Sequence, residues 1–210
     1  MKRILIVEDY EVTRAGIKRI LCEQMGELQF GEAGNVGEAV KLAREEEWDV
    51  VVLDLSLANH SGLEVLQELK RTRAGLPVLI LSMHSEEQYV RRAFRAGATG
   101  FVTKDSRRAE LVEAIKSVMD GRKYVSASLT EALIAASEHD TDRPLHELLS
   151  NREFEVLRSI GQGKTVGEIA AMLALSDKTI STYRARTLKK MGLKSNAELT
   201  HYAILNKLVD

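Results

Sequence analysis

The sequence predicts a doubly wound parallel α/β domain followed by a small all-α domain. Three observations carry this expectation. Short aliphatic runs alternate with helix-length amphipathic stretches through residues 1–122, the strand-like runs end at residue 104, and residues 149–210 show helical spacing alone. Alternating strands and helices argue for a parallel sheet covered on both faces.

The expected strands are 3–9, 28–34, 49–55, 76–83 and 100–104, each an aliphatic run of strand length. Between them, helical patterns cover 11–25, 36–47, 62–73, 86–97 and 107–121. Ser61 with Glu64, and Ser85 with Gln88, can each form a capping box. Cys22, the one cysteine, fits the apolar side of the first helix and reads as a core thiol in a reducing cytoplasm.

Residues 123–148 read as a linker, with a short helix over 128–137 and a flexible stretch over 138–144 that ends at Pro144. Four helices are then expected at 151–161, 166–173, 177–191 and 196–207. Ser150/Glu153, Thr165/Glu168 and Ser195/Glu198 supply capping boxes for three of them, and Ser176 starts the fourth.

With 44% apolar and 29% charged residues the composition is that of a globular protein. No apolar run approaches the roughly 20 residues of a membrane span, and the start is too short for a signal peptide, so a cytoplasmic protein is expected. The net charge of −1 hides an asymmetry: residues 1–122 hold 18 basic and 20 acidic side chains, whereas 149–210 hold 10 and 6. A basic C-terminal third suggests a polyanion partner for that third alone.

One string poses a problem. VVVLDLSL (50–57) is apolar enough for a strand buried on both faces, yet it carries Asp54. A lone buried carboxylate costs several kcal/mol unless it is compensated. Ligands of open parallel sheets gather beyond the carboxyl ends of strands where the strand order reverses. Glu8 and Asp9 close the first strand, Asp54 falls near the end of the third, Ser82 ends the fourth and Lys104 ends the fifth. If the first and third strands are neighbours, three carboxylates share one cleft with a hydroxyl and an ammonium at its rim. Such an all-oxygen set suits Mg²⁺ and not zinc, and a carboxylate nucleophile can accept a phosphoryl group as an acyl phosphate.

Residues 3–121 resemble the receiver domain of two-component response regulators. The resemblance lies in Glu8, Asp9, Asp54, Ser82, Phe101 and Lys104, with GLEVL (62–66) and RAGATGFVTKD (95–105). It implies a flavodoxin-like (βα)5 fold with Asp54 as phosphoacceptor. Asp9, Asp54 and the Ser56 carbonyl would bind Mg²⁺, with Glu8 assisting through water. Ser82 would meet a phosphoryl oxygen, Lys104 would pair with the phosphate, and Phe101 would be the switch aromatic that turns inward on activation. Ala58 stands where many receivers have proline, and Phe101 lacks the hydroxyl of the commoner tyrosine. Ser56 and His84 would flank the phosphoryl group.

The stretch SDKTISTYRARTLKKMG (176–192) holds five basic residues, Lys178, Arg184, Arg186, Lys189 and Lys190, against one acid, Asp177. Ile180, Tyr183, Thr187, Leu188 and Met191 follow helical spacing as a packed stripe. Lys178, Ser181, Thr182, Ala185, Arg186 and Lys189 form the opposing face, small in the middle and cationic at its ends; with Thr179 these are the expected DNA contacts. The short helix VGEIAAMLA (166–174) precedes it across a tight turn, a helix-turn-helix pattern. Residues 149–204 resemble the LuxR-type four-helix DNA-binding domain through LSNREFEVL, EIA, LSDKTISTY and LKKMGLKSNAEL. Val166-Gly167 replaces a common Asn-Lys, and the short central side chains predict an A·T-leaning, degenerate half-site read through thymine methyls and DNA shape.

This domain order is that of the NarL/FixJ subfamily of response regulators. The resemblance implies a histidine kinase as phosphoryl donor, double-stranded promoter DNA as target and a homodimer as the active form. In that subfamily the last helix pairs two DNA-binding domains. Here Leu199, Tyr202 and Ala203 start an apolar stripe that Asn206 interrupts, which suits packing on its own domain and points to weak, DNA-assisted dimerisation. An enzyme is not expected, beyond slow self-dephosphorylation. An aspartyl phosphatase would need a second aspartate where Ser56 stands. The alternative is a transcription regulator that works without phosphorylation.

Overall fold

The computed structural model describes residues 1–57, 62–83, 87–126, 129–130 and 144–209. The chain divides into two compact units, Met1–His139 and Asp140–Asp210.

The first unit is a parallel sheet flanked by helices. In order it runs β1 (Lys2–Val7), α1 (Glu11–Met25), β2 (Leu28–Ala33), α2 (Val36–Glu45), β3 (Val50–Asp54), α3 (Gly62–Thr72), β4 (Val78–Ser82), α4 (Glu87–Arg95), β5 (Gly100–Thr103), α5 (Arg108–Met119) and β6 (Tyr124–Val125). The strand order is β2-β1-β3-β4-β5-β6, all parallel, which is the flavodoxin-like arrangement with β6 added at the edge. β6 lies inside the stretch read as linker, because two residues show no alternation to read. Of the helix expected over 128–137, only Leu129 and Thr130 are described, and both are helical. The rest of it and the 138–143 stretch lie outside the described residues, as do Ala58, Ser61, His84 and Ser85.

Every residue of β3 and β4 is buried, which is what covering a sheet on both faces demands of its central strands. On one side Ile4, Ile6, Val52 and Leu79 pack with Leu21 of α1 and Ile115 of α5. Cys22 is exposed, not a core thiol. α1 turns Ile17 and Leu21 inward, and Cys22, five residues after Ile17, lies about 140° round the helix at 100° per residue.

The second unit contains helices without a sheet. A 3-10 turn (Leu145–Leu148) leads into α6 (Asn151–Gly161), α7 (Val166–Leu173), α8 (Asp177–Met191) and α9 (Asn196–Leu205). The capping boxes Ser150/Glu153 and Thr165/Glu168 are formed in full, and Ser176 and Ser195 cap α8 and α9. Each cap satisfies N–H groups that a helix start leaves without partners, worth about 1 kcal/mol apiece. Leu199 and Ala203 of α9 are buried in this unit, and the Tyr202 hydroxyl accepts the His146 N–H at 3.2 Å. The apolar stripe on the last helix therefore packs within its own domain, while Ile204 and Leu205 stay exposed. The 3-10 turn, read as the end of the linker, is tied to this unit. Among the described residues no helix is long and apolar enough to cross a membrane.

Candidate functional site

β1 and β3 are neighbours, and the strand order reverses at them, so their carboxyl ends flank the crevice where ligands of such sheets bind. Glu8 and Asp9 leave β1 there, and Asp54 is the last residue of β3. The Glu8 N–H is fixed to the Ala33 carbonyl of β2 at 3.0 Å. Glu8, Asp9 and Asp54 each place an oxygen within 4.8 Å of the others, and Glu8 and Asp54 are buried.

One ammonium serves two of these carboxylates. Lys104 Nζ lies 2.7 Å from Glu8 Oε2 and 2.9 Å from Asp54 Oδ2. The lysine main chain is set by its own N–H, which donates to the Ser82 carbonyl at 2.8 Å and ties the ends of β4 and β5 together. The Ser56 N–H donates to Asp54 Oδ1 at 3.0 Å, and the Tyr10 N–H to Glu8 Oε1 at 3.3 Å. Burial pushes the Glu8 carboxyl above its ordinary pKa, helped by the nearby Asp54 charge, although the Lys104 hydrogen bond pulls the other way. Burial works against the Lys104 ammonium, but its hydrogen bond to Glu8 and the charge of Asp54 outweigh that and hold its pKa above the usual value.

The structure thus brings together Glu8, Asp9, Asp54 and Lys104, with Ser56 and Ser82 joined to them through main-chain N–H and C=O groups. Ser82 is fully buried, and so is Phe101, which sits in β5 at the register of Ile80 and Val125. Three carboxylates against one ammonium leave a formal charge of −2, matched in size by one divalent cation. One participant escapes sequence reading. Arg14 in the first turns of α1 donates to the main-chain carbonyls of Glu8 at 2.6 Å and Asp9 at 3.3 Å. Nothing in a basic residue near a helix start announces such a contact.

In the second unit, α7 and α8 are packed partners joined by Ala174-Leu175-Ser176. Ala174 takes a left-handed conformation (φ 51, ψ 42), costing about 1 kcal/mol for a residue with a Cβ, and so ends α7 sharply. α8 buries Ile180, Thr187 and Met191, with Tyr183 and Leu188 half-buried. The Thr187 hydroxyl donates to the Tyr183 carbonyl at 2.9 Å. Lys178, Ser181, Thr182, Ala185, Arg186 and Lys189 are exposed together on the opposite face. Thr179 is half-buried, and its hydroxyl and N–H are engaged with the Ser176 cap. The five cations of this helix divide. Arg184 bonds Asn196, and Lys190 lies 2.6 Å from Glu153, whereas Lys178, Arg186 and Lys189 crown the exposed face.

Comparison with known proteins assigns a family to each unit. Residues 4–116 match the response regulator receiver domain, and 147–203 match the luxR family of bacterial regulatory proteins. The chain is 36% identical to the response regulator UvrY of Escherichia coli K12, over 99% of this chain and 96% of that one. It is 34% identical to the response regulator GacA of Pseudomonas viridiflava, over 100% and 99%. Among solved structures it is similar to RcsB of Salmonella enterica serovar Typhimurium bound to a promoter in the presence of beryllofluoride, with TM-score 0.61, 25% identity and 99% of both chains covered. A receiver domain is thus followed on one chain by a luxR-type DNA-binding domain, and the chain is a DNA-binding two-component response regulator of the NarL/FixJ family.

Proposed function

We propose that this chain is a transcription regulator gated by phosphorylation of Asp54. The carrying observation is the convergence of Glu8, Asp9 and Asp54 on one cleft with Lys104 shared between two of them. The donor set fits Mg²⁺: hard oxygens and a net formal charge of −2 to offset. Asp9, Asp54 and the Ser56 carbonyl would hold the ion, and Glu8 would assist through water. When bound, the ion offsets negative charge on the transferring phosphoryl oxygens.

The protein's own groups do the rest. An Asp54 carboxylate oxygen forms the new O–P bond as the P–N bond to the phosphohistidine of a sensor kinase breaks. Lys104 keeps its charge throughout, as its raised pKa requires, and pairs with the incoming phosphoryl group. Ser82 offers a hydroxyl to a phosphoryl oxygen, and Phe101 repacks beneath it. The changed surface then frees a cytoplasmic homodimer to bind promoter DNA through Lys178, Thr179, Ser181, Thr182, Ala185, Arg186 and Lys189. Residues 1–122, 123–148 and 149–210 act as receiver, linker and DNA-binding domain.

Labelling with radioactive acetyl phosphate, in parallel with DNA titrations with and without beryllofluoride, tests this. Asp54→Asn should abolish the label, and beryllofluoride should raise DNA affinity in the wild-type chain. Label retained by Asp54→Asn places the acceptor elsewhere. Equal DNA affinities with and without beryllofluoride would favour a regulator that works without phosphorylation.

A further inference from the structure

We infer that Arg14 is a positioning residue for the acidic cleft, anchoring the Glu8-Asp9 main chain so that both carboxylates are held for a divalent cation. The inference rests on the Mg²⁺ reading of that cleft.

Glu8 and Asp9 lie beyond the last residue of β1, where the sheet no longer pairs them on both sides. Their carbonyls would otherwise turn with the loop. The Arg14 guanidinium meets both: Nη1 is 2.6 Å from the Glu8 oxygen and 3.3 Å from the Asp9 oxygen. The same side chain is itself braced, because Nε donates to Glu32 Oε2 at 3.0 Å, and Lys18 engages the other oxygen of that carboxylate. The hydrogen bond from Lys18, against a smaller effect of burial, lowers the Glu32 pKa, so the brace stays ionised at neutral pH. The side chain is largely buried, with 17% of its surface exposed. The result is a strut from β2 through the start of α1 to the two residues that follow β1. With the N–H of Glu8 held by Ala33 and its carbonyl by Arg14, the peptide units on either side of Glu8 are each pinned.

Only arginine builds this strut. A guanidinium presents several N–H groups in a fixed fork, so it can hold carbonyls and a carboxylate at once. A lysine ammonium on a flexible stem reaches one of these groups at a time.

The electrostatic alternative has the opposite sign. If Arg14 were a bystander cation beside three carboxylates, removing it would deepen the negative potential and tighten Mg²⁺ binding. If it positions the ligands, removing it weakens binding, and loss of such outer supports typically costs 10–100-fold in metal affinity.

Calorimetric titration of the full chain with Mg²⁺ separates these cases, with thermal melting in chelator as the control for folding. Arg14→Ala should weaken Mg²⁺ about 10–100-fold, and Arg14→Lys should recover part of that loss. Glu32→Gln should weaken binding less, and adding it to Arg14→Ala should cost nothing more, since both act through one strut. Unchanged or tighter binding by a folded Arg14→Ala overturns the inference. Should that variant fail to fold, wild-type affinity in both Arg14→Lys and Glu32→Gln overturns it instead. A wild-type chain that takes up no Mg²⁺ is a different failure: it removes the metal reading of the cleft, and the role of Arg14 falls with it.

Discussion

A Cβ placed on Gly62 would stand 2.4 Å from the main-chain oxygen of Asp54, and as close to Cα of Leu55. Both atoms are backbone, so no side chain can swing away to make room. α3 starts directly against the end of β3, and the Gly62 N–H donates to the Leu55 carbonyl at 3.0 Å. Gly62→Ala should therefore push Asp54 off its position and cost about 1–3 kcal/mol as overpacking does. Urea unfolding and the rate of acetyl phosphate labelling both report this. Gly75→Ala, where a Cβ meets nothing within 4 Å, is the matched control and should leave both unchanged.

Lys104 pairs with two almost fully buried carboxylates, with side chains of Glu8 and Asp54 only 1% and 2% exposed. Removing one member of a buried charge cluster leaves the others desolvated and unpaired. Lys104→Met should lower stability at pH 7 by roughly 3 kcal/mol, the scale for breaking a buried ion pair. Because the three carboxyl groups then lack their ammonium, millimolar Mg²⁺ should narrow the gap between variant and wild type. Denaturant titrations in chelator and in Mg²⁺ measure both effects.

The pH dependence has a definite sign. The folded-state pKa of Glu8 is raised above its ordinary 4.5, chiefly by burial. A raised carboxyl binds its proton more tightly in the folded chain, so its contribution to stability is full below 4.5 and is lost as pH rises through the folded value. Lys104, also raised, contributes fully below its ordinary 10.5 and loses that contribution only at higher pH, so it is constant across this window. In chelator, the stability difference between wild type and Glu8→Gln should therefore shift in favour of wild type as pH falls from 8 toward 4.5. A difference independent of pH would contradict it.

What the sequence showed and hid follows from the range of each signal. The buried strands were legible because β3 and β4 carry uninterrupted aliphatic runs, and Glu8, Asp9, Asp54 and Lys104 because each ends such a run. β6 was not, since Tyr124–Val125 is strand only by virtue of its partner Gly100–Phe101. Cys22 was misplaced because helical spacing defines a stripe but leaves its edges loose. The Arg14 strut joins residues of α1, β2 and the end of β1, a meeting that only the tertiary fold arranges.

The basic helix α8 gives a last prediction, in which the structure divides residues that look equivalent in sequence. Arg186 and Lys189 are exposed on the face of α8 opposite the buried Ile180 and Met191, whereas Lys190 holds the buried Glu153 carboxylate at 2.6 Å. Burial would raise the Glu153 pKa, but its bonds from Lys190 and the Ser150 N–H outweigh that and keep it low, so the carboxylate is ionised at pH 7. A cation facing phosphate releases counterions when DNA binds, which appears as a slope of about −0.9 per contact in log affinity against log salt. Arg186→Ala and Lys189→Ala should each reduce that slope by about 0.9 and weaken binding across all sequences alike. Lys190→Ala should instead lower the melting temperature of the C-terminal unit and leave the slope nearly intact, because its ammonium is paired with the buried Glu153 carboxylate. Titrations of promoter and random duplexes at several salt concentrations distinguish the two classes; equal slope changes at 186, 189 and 190 would show that the Glu153 contact does not withdraw Lys190 from DNA.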